Sequence, residues 1–121
     1  MNYLVVFFGA GLGGVFRYIL SYFIQKQFPP YFPFGTLAVN LLGSIILGLM
    51  IFGFDEKGLI NPTLKLFIGI GFCGGFTTFS AFSLETFNLL RDAEFLFAGL
   101  NILANVIITV FGIYLAYLIT R

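Results

Sequence analysis

Four apolar runs, each about as long as a bilayer is thick, dominate this chain and leave it few ways to fold. They occupy about residues 3–24, 35–54, 64–90 and 95–119 of a chain of 121 residues. A hydrocarbon core of about 30 Å takes roughly 20 apolar residues of helix, so each run is a transmembrane span. The connections are short and polar. Gln25 to Phe34 holds Lys26, Pro29, Pro30 and Pro33, Asp55 to Thr63 holds Glu56, Lys57, Asn61 and Pro62, and the last turn is Arg91, Asp92 and Glu94. With 60% hydrophobic and only 9% charged residues, no soluble domain fits beside the spans. The expected fold is therefore all-α and integral to the membrane, with residues 1–121 forming one four-helix domain. The start, MNYLVVFFGAGLGG, has no Lys or Arg before its apolar run and is expected to be the first span, not a cleaved signal.

Charge and composition exclude several functions. A formal net charge of +1 gives no footprint for nucleic acid. There is no histidine, and the lone Cys73 suits a small packing residue. Gly9, Gly11 and Gly14 fit a G-x-G-x-x-G pattern, but no acid follows at the needed distance and no soluble βαβ unit surrounds it. Gly9 with Gly13, and Gly71 with Gly75, fit the G-x-x-x-G spacing that lets helices approach closely. No nucleophile and base pair or side-chain metal cluster is present, so the chain is not expected to be an enzyme.

Span three is too long and too polar for a simple anchor. Some 27 residues of helix measure about 40 Å, more than the hydrocarbon thickness. Its stretch Gly69 to Glu85, GIGFCGGFTTFSAFSLE, packs glycines and hydroxyls into a lipid-soluble segment. Cys73, Gly74 and Gly75 are the expected weak point of the helix. Carbonyls freed there need a partner that lipid does not offer, which a bound cation or a polar cavity would supply.

Polar residues in the other spans fall into stripes. Thr36, Asn40 and Ser44 share one face of span two by i, i+4 spacing, as do Asn101, Asn105 and Thr109 in span four. Either they bond between helices or they form a track. In span three, Phe79 and Phe82 adjoin Ser80 and Ser83. Hydroxyl and amide donors beside phenyl edges, which carry the positive part of the ring quadrupole, suit a small anion. Arg17 lies deep in span one, where a charge costs on the order of 2.5 to 3.5 kcal/mol, so it should face protein or water. Glu85 is the only acid within the spans; it is either a proton-coupling group or, as expected here, a residue of the vestibule or interface near Arg91. Lys57, Lys65 and Arg121 fall on one side of a four-span topology and Lys26 and Arg91 on the other, a near balance that permits insertion in both orientations and an antiparallel homodimer.

Three ordered motifs then identify a resemblance. Gly13-Gly14-Val15-Phe16-Arg17-Tyr18, Gly35-Thr36-Leu37-Ala38-Val39-Asn40-Leu41-Leu42-Gly43-Ser44 and Gly71-Phe72-Cys73-Gly74-Gly75-Phe76-Thr77-Thr78-Phe79-Ser80-Ala81-Phe82-Ser83 resemble the small fluoride-specific ion channels called Fluc or CrcB. The resemblance implies an antiparallel, dual-topology homodimer with a broken third helix, two fluoride pores and a central structural sodium ion. Mapped by motif, the backbone carbonyls of Gly74 and Thr77 would hold the sodium. Phe79 and Phe82 would line the pore with Asn40, Thr78, Ser80 and Ser83 as its neighbouring polar groups, and Arg17 would be the buried arginine near the vestibules. Ala81 stands where the family often has Thr or Ser, which removes one donor from the polar track. The implied activity is passive fluoride export across the cell membrane, the inner or plasma membrane. The alternative is a proton-coupled, multidrug-type transporter of four short helices, which needs a mid-membrane acid. Span one offers Arg17 in its place. A non-conducting packing subunit is a third reading.

Overall fold

The computed structural model describes all 121 residues, Met1–Arg121, and every regular element in it is helical. Helix α1 is Asn2–Lys26 and α2 is Phe34–Met50, which continues as a π-helical turn, Ile51–Asp55. The third span begins with α3, Pro62–Lys65, widens into a π-helical stretch, Leu66–Cys73, and returns to α geometry in α4, Gly74–Phe76. After Thr77 and Thr78 come α5, Phe79–Arg91, and α6, Phe95–Thr120. Together these make four helical stretches long and apolar enough to cross a membrane: Asn2–Lys26, Phe34–Asp55, Pro62–Arg91 and Phe95–Thr120.

Side chains settle the turns where prolines stop the helices. Gln25 Nε2 donates to the Phe32 carbonyl at 3.0 Å and Gln25 Oε1 accepts the Gly35 N–H at 3.0 Å, so one residue of α1 satisfies an orphan donor at the start of α2. Asn61 caps α3 by accepting the Leu64 N–H at 2.7 Å, with Pro62 in the first turn, where its missing N–H is not needed. At the same end of the bundle Lys57 donates to the Thr120 carbonyl and Lys65 pairs with Asp55 at 2.9 Å.

Span one packs on span three and span two packs on span four. The first pairing brings backbone against backbone. A Cβ on Gly9 would lie 2.6 Å from the Phe67 carbonyl oxygen, one on Gly13 would collide with the Phe72 carbonyl, and one on Gly75 with the Ala10 carbonyl. The two G-x-x-x-G patterns thus face each other. The second pairing nests Gly48 on Ala116 and Gly112 on Leu41. Glycine is required at these crossings because small residues let dispersion contacts form between helices that gain nothing from leaving lipid.

One copy of the chain has almost no interior. Only 19 of 121 residues are buried. Five of the buried residues are polar: Thr36, Asn40, Thr86, Asn101 and Asn105. In lipid such groups need partners inside the protein, and all five have them.

Candidate functional site

The backbone of span three leaves helical geometry at Thr77 (φ −89°, ψ 157°) and Thr78 (φ −147°, ψ 124°). The glycine pair expected to be the weak point is itself helical, with Gly74 at φ −63° and ψ −37°. Glycine only lowers the cost of leaving a helix. What decides the place is a substitute for the hydrogen bonds lost, and that substitute stands opposite Thr78. Asn40 Oδ1 accepts the Thr78 N–H at 2.8 Å, and Asn40 Nδ2 donates to the Thr78 carbonyl at 3.2 Å. A carboxamide presents the donor and acceptor of a peptide group, so Asn40 pairs with Thr78 as a neighbouring strand would. Its other N–H donates to Asn105 Oδ1 at 3.0 Å, and both donors of the amide are taken.

Thr78 also starts the next helix. Its Oγ1 accepts the Ala81 N–H at 3.1 Å as an N-cap and lies 3.3 Å from Ser80 Oγ. Thr77 turns the other way, donating both its N–H (3.0 Å) and its hydroxyl (2.8 Å) to the Cys73 carbonyl. Arg17 Nε donates to the Gly75 carbonyl at 3.0 Å. This is the protein-facing partner that its depth in span one demands. The carbonyls of Gly74 and Thr77 accept no hydrogen bond, and Gly74 is exposed, with open space where a Cβ would be.

A groove of about 510 Å³ runs along this region, lined by Asn40, Gly74, Thr77, Thr78, Phe79 and Phe82, with Ser44, Asn105 and Thr109 beyond them. Phe79 and Phe82 sit with ring centroids 5.4 Å apart and planes tilted by 54°. Phe79 is 78% exposed. Ser80 and Ser83 lie on the exposed side of α5, outside the groove lining, and Arg17 lies behind span three. Of the two polar stripes, Thr36 and Asn40 bond to span three, Asn105 to span two, and Thr109 to the carbonyl of Asn105.

Glu85 does not pair with Arg91. Its Oε2 accepts from Thr36 Oγ1 at 3.0 Å, while Oε1 is buried without a partner, and Arg91 lies nearest Asp92 at 3.9 Å. The stripe of span two reaches this acid, which the periodicity of either helix alone does not reveal. Thr86 is a residue that sequence reasoning passed over. A threonine that bonds its own i−4 carbonyl, here Phe82 at 2.8 Å, is tolerated in any apolar helix and carries no distinguishing pattern.

Comparison with known proteins bears on this geometry. Residues 4–117 match the family model described as CrcB-like protein, Camphor Resistance (CrcB). A protein of Shewanella baltica (strain OS185) named "Fluoride-specific ion channel FluC" is 46% identical over 114 residues, which is 94% of this chain and 91% of that protein. A protein of the same name from Thermococcus kodakarensis is 47% identical over 116 residues, 91% of each chain. Another, from Shewanella sp. (strain ANA-3), is 44% identical over 114 residues.

Proposed function

The chain belongs to the CrcB family, and from that premise we propose that it is a fluoride-selective channel that carries fluoride passively out of the cell. The observation that carries this reading is the groove at Thr77 and Thr78, where hydroxyls and ring edges meet at an interruption in a membrane span. Fluoride is small and strongly hydrated, so a path must replace water donors by fixed ones and still release the ion at each step. The Thr78 hydroxyl and the edges of Phe79 and Phe82 in the groove are neutral donors of this kind, and the hydroxyls of Ser80 and Ser83 on the exposed face of α5 extend them. Asn40 lines the path and keeps Thr78 extended. Arg17, held on the Gly75 carbonyl, lies outside the narrow part, where a full positive charge would bind the anion too tightly.

The path is completed by a second copy in the opposite orientation. Three features support this: the scant interior of one copy, the exposed Phe79 ring, and the nearly even division of Lys57, Lys65 and Arg121 against Lys26 and Arg91 between the two ends. The free carbonyls of Gly74 and Thr77 suit a hard cation, and a two-fold axis beside them would double the pair to four oxygens. The carbonyls of Gly74 and Thr77 would hold a sodium ion, which when bound would offset carbonyl dipoles that lipid leaves unpaired. We place the dimer in the cell's inner or plasma membrane.

The test is ion efflux from liposomes that hold the purified protein. Fast fluoride efflux, little chloride efflux and no need for a proton gradient are expected. Vesicles no leakier to fluoride than protein-free ones refute the reading.

A further inference from the structure

One chain of buried hydrogen bonds begins and ends on the helix that carries Phe79 and Phe82. Thr86 Oγ1 donates to the Phe82 carbonyl at 2.8 Å and accepts from Asn101 Nδ2 at 2.9 Å. Asn101 Oδ1 accepts from Asn105 Nδ2 at 2.9 Å, and Asn105 Oδ1 accepts from Asn40 Nδ2 at 3.0 Å. Asn40 closes the circuit on the N–H and carbonyl of Thr78. Thr86, Asn101, Asn105 and Asn40 are all buried, and Asn101 is 0% exposed.

The direction of this chain is fixed at its ends and, within it, by the Asn101 backbone carbonyl, which accepts from Asn105 Nδ2 at 2.9 Å. The Phe82 carbonyl only accepts and the Thr78 N–H only donates. Thr86 spends its one proton on Phe82, so it must accept from Asn101, whose amide oxygen then faces Asn105, whose oxygen in turn faces Asn40. Turning over any one amide sets acceptor against acceptor or leaves a buried group unpaired, which low dielectric makes costly.

We infer that Asn101 and Thr86 are positioning residues for fluoride conduction: through Asn105 they brace the Asn40 amide in the orientation that clamps Thr78, and so hold the extended backbone there and the register of Phe82. Neither lines the groove, both are buried, and their polar side-chain atoms are bonded to the protein, so the inference gives them no contact with the ion. Their influence passes through Asn105 and Asn40 at one end and the Phe82 carbonyl at the other. The inference rests on the proposed fluoride path, but its geometric part stands on the amide orientation alone.

The test compares Thr86→Val, which keeps the shape and removes the hydroxyl, with Thr86→Ser, which keeps the hydroxyl and removes the methyl. Fluoride efflux from liposomes and the side-chain amide NMR signals of Asn40 in lipid nanodiscs are both read. Thr86→Val should slow efflux about tenfold, the factor attached to one buried hydrogen bond of ordinary strength, and should shift the Asn40 signals three bonds away. Thr86→Ser should stay within about twofold of the parent on the same grounds. Parental efflux and Asn40 signals in Thr86→Val overturn the inference, and so does a Thr86→Ser loss as large as that of Thr86→Val, which would assign the residue to methyl packing. If Thr86→Val does not yield folded protein, hydrogen exchange in the unaltered protein decides. Slow exchange of both Asn40 side-chain hydrogens supports the relay, and exchange at the rate of an exposed amide refutes it. Failure of the fluoride reading itself shows separately, as parental vesicles that do not leak fluoride.

Discussion

Asn40→Asp exchanges one NH₂ group for oxygen at the centre of the site and leaves the shape almost unaltered. The Oδ1 that accepts the Thr78 N–H remains. The replaced nitrogen is the one that donates to the Thr78 carbonyl at 3.2 Å and to Asn105 Oδ1 at 3.0 Å, so both contacts become acceptor against acceptor. Interhelical hydrogen bonds in membranes contribute about 0.6 kcal/mol each and at most about 1.7, and losing two removes about 1 to 3 kcal/mol from the clamp. The charge is the larger effect. An ionised carboxylate about 4 Å from a passing anion, at an effective dielectric near 20, raises its energy by about 4 kcal/mol. That corresponds to about a thousandfold in rate. The expected result is fluoride efflux near the protein-free background, measured with a fluoride electrode, from protein that elutes in detergent as the parent does. Efflux within threefold of the parent would refute both the clamp and the place of Asn40 beside the ion path.

Phe82→Ile removes a ring edge from the groove and keeps an apolar side chain of similar reach; about tenfold slower fluoride efflux with unchanged elution is expected, and parental efflux takes Phe82 out of the path. Gly13→Ala drives a Cβ into the Phe72 carbonyl, whereas Gly11→Ala meets nothing within 4 Å. The first should cost about 1 to 3 kcal/mol and lower the thermal midpoint in detergent, the second should leave it level or raise it slightly, and equal midpoints would deny the close crossing of spans one and three. Sodium in place of a large organic cation should raise the thermal midpoint with saturation, worth about 2.7 kcal/mol at a hundredfold excess over the dissociation constant; no dependence on sodium would remove the cation from Gly74 and Thr77.

The four spans and the all-helical class were legible because bilayer thickness acts on local composition, and no long-range contact is needed to read it. The motif containing Arg17, the one containing Asn40 and the one ending at Ser83 carried the family in the same linear way. The place where span three leaves helical geometry was not legible. Gly74 and Gly75 are the weaker helix formers by residue type, yet the extended residues are Thr77 and Thr78, because Asn40 on another helix supplies what the Thr78 backbone gives up. Glu85 met Thr36 in place of Arg91 for the same reason.

By itself, then, the sequence determined that this protein has four helices long and apolar enough to cross a membrane, that it belongs to its family, and which polar residues share each helix face. Only the tertiary structure decided which of those faces meet. Periodicity fixes a side chain's angle about its own helix axis, but two helices bond only when their rotations and separation agree. Here those are set by backbone contact at Gly9, Gly13 and Gly75 on one side and by the seating of the Ala116 and Leu41 side chains on Gly48 and Gly112 on the other. Packing at the glycines aligns the asparagines.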